Sequence, residues 1–286
     1  MQPLLRNAVP LSLLAVLLVL DPSRPAAAEV RTIQIDSATN RRQTTFAVYL
    51  PPHYAKDERT RYPVVYSLHG LSGDPTRRTG QIVPALEAAL STGAVAPMIW
   101  VFPDGQRNSF YGDAHDGHKQ VYSNIVAEVI PYVDRQFRTR PDRASRAIEG
   151  FSMGGYGAAM LGAKHPELFG AVVVYAGAFA GWENFQPDSK AEMYDGNREH
   201  FLPYSAWEMS HRNAKELRER VAYLIVVGDQ DQEFQNTLRF RDYLATLDVH
   251  PEFVVLAGYG HNGRAYADEG TGFRFLSKFF ERSTVR

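Results

Sequence analysis

The chain has 286 residues, 44% of them hydrophobic and 22% charged. That balance belongs to a globular protein with a substantial core, and excludes a disordered chain, a collagen-like repeat and a polytopic membrane protein. Its 31 Lys and Arg against 32 Asp and Glu leave a net charge of −1, with no cysteine at all, so no basic excess invites nucleic acid and no disulfide, thiol nucleophile or Cys-rich metal site exists.

Residues 1–28 read as a secretory leader. Arg6 supplies a basic start, Leu11–Leu20 is apolar apart from Ser12, and Asp21-Pro22 closes the run before Ala26-Ala27-Ala28. This layout predicts a signal peptide cleaved after Ala28. The apolar run falls well short of the roughly 20 residues of a membrane-spanning helix, so no stable membrane anchor is expected. Residues 29–286 are then the working domain, secreted or periplasmic.

From there, apolar runs bounded by turn residues alternate with helical stretches. Strands are predicted at Thr45–Leu50 and Val64–Leu68, followed by the His69-Gly70-Leu71 turn. The Arg77-Arg78 pair reads as solvated surface, ahead of a helix over Gln81–Thr92. A strand at Met98–Phe102 leads into Asn108–His118, where carboxylates and histidines lie close together. No second ligand group accompanies them, so this stretch reads as a polar loop near a cleft, and no metal is expected.

A helix over Tyr122–Gln136 and a strand at Ala147–Glu149 come next, then a helix over Gly154–Lys164 that stops ahead of Pro166, as the residue before a proline resists the α region. After a strand at Ala171–Tyr175, Gly181–Ser210 carries Trp182, Phe185, Tyr194, Phe201, Tyr204 and Trp207 without helix or strand periodicity. Those aromatics either line an apolar acyl or aryl pocket or pack the segment onto the body. Strands at Tyr223–Val227 and Phe253–Leu256 flank a helix over Gln232–Leu247, and a last helix covers Gly272–Arg282. Short β-branched strands alternating with helices predict a single α/β domain, a mostly parallel central sheet with helices on both faces.

One motif sits at a strand-to-helix junction of that pattern. Gly150-Phe151-Ser152-Met153-Gly154 is a G-x-S-x-G sequence between a strand at Arg146–Glu149 and a helix at Tyr156–Lys164. A serine alcohol attacks only when a base takes its proton, so it must project clear of the sheet, and flanking glycines permit the sharp turn that does this. Two late strands end in candidates for the partners: Gly228-Asp229-Gln230-Asp231 and Gly260-His261. Their order, Ser, then acid, then His, is that of this architecture, and catalysts collect beyond the carboxyl ends of such strands. His261 is the candidate base and Asp231 the candidate acid; Asp229, nearer the strand end, is its rival and reads as a turn residue. Among the other histidines, His69 stands apart as a residue that shapes its loop. Negative charge on a tetrahedral intermediate needs two backbone N–H donors, here the residue after the serine, Met153, and Leu71 in the early loop.

The set Ser67-Leu68-His69-Gly70-Leu71, Pro103-Asp104-Gly105, Glu149-Gly150-Phe151-Ser152-Met153-Gly154-Gly155, Gly228-Asp229-Gln230-Asp231 and Gly260-His261 resembles the esterase D, or putative esterase, family of α/β-hydrolases. The likeness runs from Thr32 to Phe280. It implies the α/β-hydrolase fold, a triad of Ser152, Asp231 and His261, and oxyanion donors at Leu71 and Met153. The Gly-x-x-Asp pattern carries the acid onto Asp231. The family includes tributyrin-type and feruloyl esterases, S-formylglutathione hydrolases, siderophore esterases and mycolyltransferases, so the expected activity is serine ester hydrolysis without a cofactor. The expected substrate is a small-molecule ester, aryl and carbohydrate-linked esters being the candidates. Acyl transfer to a sugar or lipid alcohol is the second reading and a non-catalytic binding relative the third.

Overall fold

The computed structural model describes residues 28–284; the expected leader lies outside them except for Ala28. Eight strands build one sheet: β1 (Glu29–Ser37), β2 (Arg42–Leu50), β3 (Val64–Leu68), β4 (Ile99–Pro103), β5 (Arg146–Phe151), β6 (Ala171–Tyr175), β7 (Ala222–Gly228) and β8 (Glu252–Leu256). Their order is β1-β2-β4-β3-β5-β6-β7-β8. Pairing is antiparallel for β1 with β2 and for β2 with β4, and parallel from β4 to β8.

Every residue of β3, β4, β5 and β6 is buried, which is why β3, β4 and β6 are largely apolar without alternation: helices cover both faces. The expected mostly parallel α/β sheet is therefore present, with one strand more than the sequence suggested. That strand, β1, is largely exposed. An edge strand with one polar face carries too few apolar residues to stand out as a run.

The helices are α1 (Pro75–Ser91), α2 (Val121–Asn124), α3 (Ile130–Gln136), α4 (Met153–Lys164), α5 (Pro187–Tyr194), α6 (Arg198–Phe201), α7 (Ala206–Arg212), α8 (Ala214–Arg220), α9 (Phe234–Thr246), α10 (Gly263–Glu269) and α11 (Thr271–Thr284). A π-helical turn over Ile125–Val129 joins α2 to α3, ahead of Pro131, which lacks the N–H of a regular α-turn. Residues of α1, α10 and α11 share one hydrophobic cluster with one face of the sheet. Those of α2 to α9 form the other cluster. α1 begins at Pro75, well before the predicted Gln81: Asp74 caps it by accepting the Arg77 N–H at 2.8 Å, and Pro75 pre-sets the first turn.

Gly181–Ser210 is more regular than its sequence suggests. It holds α5, α6, a 3₁₀ turn at Leu202–Tyr204 and most of α7. Helices this short show no apolar period, and tertiary packing rather than propensity holds them. Phe185, Tyr194 and Phe201 are buried; Phe185 packs on Phe110 and Tyr156, and Tyr194 and Phe201 pack on Phe185, while Trp207 meets Phe240 edge-on at 5.1 Å. The aromatics of the segment pack it onto the body.

The sheet delivers the G-x-S-x-G turn by letting α4 fall almost onto the ends of β3 and β5. A Cβ on Gly154 would lie 2.2 Å from the Leu68 carbonyl oxygen. Gly154→Ala is therefore expected to destabilise by more than about 3 kcal/mol, at or beyond the usual range of core overpacking. Gly80, inside α1, has open space where a methyl would go, with no atom within 4 Å. It should behave oppositely, Gly80→Ala stabilising by about 0.5–1 kcal/mol. Urea unfolding of both variants checks the pair.

Candidate active site

Ser152 occupies the turn between β5 and α4 with φ 59° and ψ −118°, backbone that an L-residue adopts only under tertiary constraint. Its N–H donates to the Tyr175 carbonyl at 2.9 Å, and its own carbonyl accepts from Tyr156 and Ala178 at 3.0 and 3.1 Å. The strained residue is thus pinned by β6 and by the first turn of α4. The hydroxyl projects beyond the carboxyl end of the sheet.

His261 reaches it from the loop between β8 and α10. Nδ1 donates to both oxygens of Asp231 at 2.8 and 3.0 Å, which leaves Nε2 to accept from the Ser152 hydroxyl at 2.9 Å. The Asp231 side chain is fully buried and that of His261 is 22% exposed, so the acid sits inside the protein and the imidazole at the wall of a cleft. Burial pushes the Asp231 carboxyl up, but hydrogen bonds from His261, the Glu233 N–H and Tyr266 outweigh it and hold the group below its ordinary value. Tyr266 donates to Asp231 at 2.8 Å and accepts from the Gly228 N–H at 2.7 Å. The Phe151 ring lies 4.5 Å from the imidazole and buttresses it. Asp229 instead accepts from the Gly258 N–H at 2.7 Å, a turn contact away from His261.

Leu71 and Met153 line the same cleft as Ser152, and Gly70 packs against Ser152, a Cβ there being 3.4 Å from that of the serine. His69 is buried and spends both nitrogens on backbone, Nδ1 donating to Gly70 at 2.8 Å and Nε2 accepting from Gly105 at 2.9 Å. Tyr111 donates to the His69 carbonyl at 2.9 Å. The Asn108–His118 stretch departs from the expected polar loop: Asn108 to Ala114 are buried, and only His115 to His118 form an exposed tip. Phe110 and Tyr111 take positive φ of 49° and 61°, and Phe110 lines the cleft. The described residues hold no group of three His, Asp or Glu placed to ligate a metal.

The reading of Arg77-Arg78 as solvated surface is corrected. Arg77 lines the cleft, but Arg78 is 1% exposed and clamps Glu149 through Nη2 at 2.9 and 2.7 Å. Arg78, Ile82 and Leu86 share the buried face of α1, so the arginine occupies an apolar stripe because a buried carboxylate awaits it.

The cleft measures about 500 Å³. Its walls mix Leu71, Phe110, Phe151 and Ala178 with Gln81, Gln186 and Gln232. None of the six aromatics of Gly181–Ser210 reaches it.

Residues 37–272 match the family described as "Putative esterase". The chain belongs to this esterase family. Its fold is of the α/β-hydrolase type. Over 148 residues the chain is 29% identical to an endo-1,4-beta-xylanase/feruloyl esterase of Xylanibacter ruminicola, an alignment covering 49% of the chain and 20% of that relative. Over 133 residues it is 33% identical to Esterase Rv1288 of Mycobacterium tuberculosis, covering 46% of the chain and 28% of the relative. The aligned stretches thus span less than a third of these curated relatives. Among solved structures, a ferulic acid esterase superposes with a TM-score of 0.76 at 23% identity, covering 88% of this chain and 98% of that one. The S-formylglutathione hydrolase of Staphylococcus aureus gives 0.73 at 22% identity, with coverage of 89% and 100%. These likenesses concern the fold. No helix among the described residues is long and apolar enough to cross a membrane.

Sequence reasoning missed Tyr266, because it lies in α10, a helix without a visible apolar period. Its contacts define a test. Tyr266→Phe removes a donor from Asp231 and leaves the Gly228 N–H unpaired, so the unfolding free energy should fall by about 1–3 kcal/mol at pH 7. The carboxyl is depressed in the folded state, so its share of stability is present above the unfolded value of about 3.9 and fades as the pH falls below it. Urea titrations at pH 7 and pH 3 should therefore show a smaller deficit at pH 3; an equal deficit would assign the whole effect to the Gly228 N–H.

Proposed function

We propose that this esterase works through an acyl-enzyme on Ser152, with His261 as general base and then general acid, and Asp231 fixing the imidazole tautomer and stabilising the imidazolium. The observation that carries the reading is the unbroken chain from the Ser152 hydroxyl through His261 to the buried Asp231 carboxylate. The Ser152 oxygen attacks the ester carbonyl as its proton passes to Nε2. The tetrahedral intermediate then expels the alcohol, which takes that proton, and water repeats the sequence to release the acid. Leu71 and Met153 offer the N–H donors for the oxyanion; neither N–H is hydrogen-bonded to a protein acceptor among the described residues. The reaction draws on no cofactor.

The substrate proposed is a small ester whose acyl group, short or aryl, lies against Phe110, Phe151 and Ala178, with a polar alcohol facing the glutamines. The feruloyl esterase named among the relatives agrees with an aryl acyl group. A leader removed after Ala28, with residues 29–286 as a single exported esterase domain, completes the proposal on the strength of the n-region, apolar run and Ala-Ala-Ala site.

Ser152→Ala should abolish both p-nitrophenyl butyrate hydrolysis and fluorophosphonate labelling of the purified protein. In the parent, kcat/KM should climb with pH, because only the neutral imidazole accepts a proton; labelling that survives the Ser152 change removes the nucleophile. Mass spectrometry of protein recovered after export should find Glu29 at the N-terminus. An intact Met1 would dismiss the leader.

A further inference from the structure

We propose that the buried Arg78–Glu149 ion pair is a positioning device that holds the two oxyanion donors, the N–H groups of Leu71 and Met153, at a fixed separation. The inference rests on the reaction proposed above and names residues that this reaction does not itself use.

The two donors ride on different pieces of chain. Leu71 lies in the loop from β3 to α1, and Met153 follows β5. Ser67 near the end of β3 faces Glu149 of β5 across the parallel ladder, in the register Ser67↔Glu149 and Leu68↔Gly150. Arg78 sits in the first turns of α1 and covers both. Its Nε donates to the Ser67 hydroxyl at 3.0 Å and its Nη2 to the two Glu149 oxygens, while Ser67 itself donates to Glu149. One guanidinium therefore ties together both ends of the Leu71 loop and the strand that leads, three residues on, into Ser152. Its remaining arm donates to Gln81 at 3.3 Å, and Gln81 lies against Gly263, a Cβ on that glycine being 3.1 Å from the Gln81 amide, two residues beyond His261.

Both side chains are at most 2% exposed. A buried ion pair costs desolvation on both partners and is a weak source of stability, often replaceable by apolar residues of similar volume. What it supplies is direction: a planar fork against a planar carboxylate admits one arrangement, whereas methyl groups slide. A donor misplaced by about 1 Å can cost about a hundredfold in rate, and loss of one donor costs about a hundredfold or more. A direction-setting contact at the root of both donor segments answers that demand.

The test is the double variant R78M/E149L, assayed with kcat normalised to titrated active sites. Thermal unfolding should stay within a few degrees of the parent, while kcat on p-nitrophenyl butyrate falls about tenfold to a hundredfold and KM moves by less than about threefold. Affinity for phenylboronic acid, whose boron takes the Ser152 oxygen pair as the hydroxyl proton passes to His261, should fall by the same factor as kcat, because the adduct is tetrahedral. A stable double variant with the parent's kcat and boronate affinity overturns the proposal. If the double variant does not fold, Arg78→Lys decides: it keeps the charge but loses the fork, and parental kcat in that variant overturns the proposal equally. Ser152→Ala, run beside them, keeps the two levels apart. Activity surviving there sinks the nucleophile, while its loss with unimpaired Arg78 variants sinks only the positioning role.

Discussion

The structure depends on one backbone constraint: Ser152 is held in left-handed geometry at the tip of β5. Nothing local favours this, since the side chain itself opposes a positive φ. The turn persists because α4 approaches the sheet so closely that Gly150 and Gly154 have no room for a Cβ, the nearest carbonyl oxygens lying at 2.1 and 2.2 Å from one. Once the turn is fixed, the hydroxyl stands clear of the sheet and the first N–H of α4 stands free beside it. The parallel strands matter chiefly because they bring β3, β5, β7 and β8 to a common end, so that loops distant in sequence open into one cleft.

Around that turn the protein places a few polar groups in an apolar interior and satisfies each of them. Asp231 is buried yet receives the His261, Glu233 and Tyr266 donors, which keeps it charged beside the imidazole it orients. His69 gives both nitrogens to backbone and so shapes its loop rather than moving protons. Arg78 and Glu149 are the extreme case, two charges deep in the core that neutralise one another. Each arrangement converts burial, which by itself penalises charge, into fixed geometry.

The cleft joins two surfaces of different character. Its floor comes from the sheet ends and the Leu71 loop. Its far wall includes Phe110, held in strained backbone by the Asn108–Ala114 segment, and Gln186, just ahead of α5. Phe110, packed on Phe185 at 4.5 Å and on Tyr156 at 5.4 Å, is where the aromatic packing of Gly181–Ser210 meets the site. The short helices after Gly181 shape the cleft from behind it, without lending their own rings to its lining.

Much of this was legible in the chain. Strands buried on both faces carry short apolar runs, so β3 to β7 are visible without coordinates, and a glycine-flanked serine between strand and helix has few other uses. The order of Ser152, Asp231 and His261 matches that pattern, while the preference for Asp231 over Asp229 rests on its place in the loop and on the resemblance to the esterase family. The rest is set by contacts that sequence does not rank. β1 is an exposed edge whose pairing partner supplies its structure. The helices after Gly181 are too short to show a period, and the buried half of Asn108–His118 is indistinguishable from a solvated loop until Phe110 finds Phe185. Arg78 looked like surface because arginine commonly is; only the fold places Glu149 opposite it. That glutamate, set between Ile148 and Gly150 in a fully buried strand, was the available sign that a cation lay buried nearby, and the three-dimensional path of α1 decided that it is Arg78, while Arg146 of the same strand pairs with Asp134.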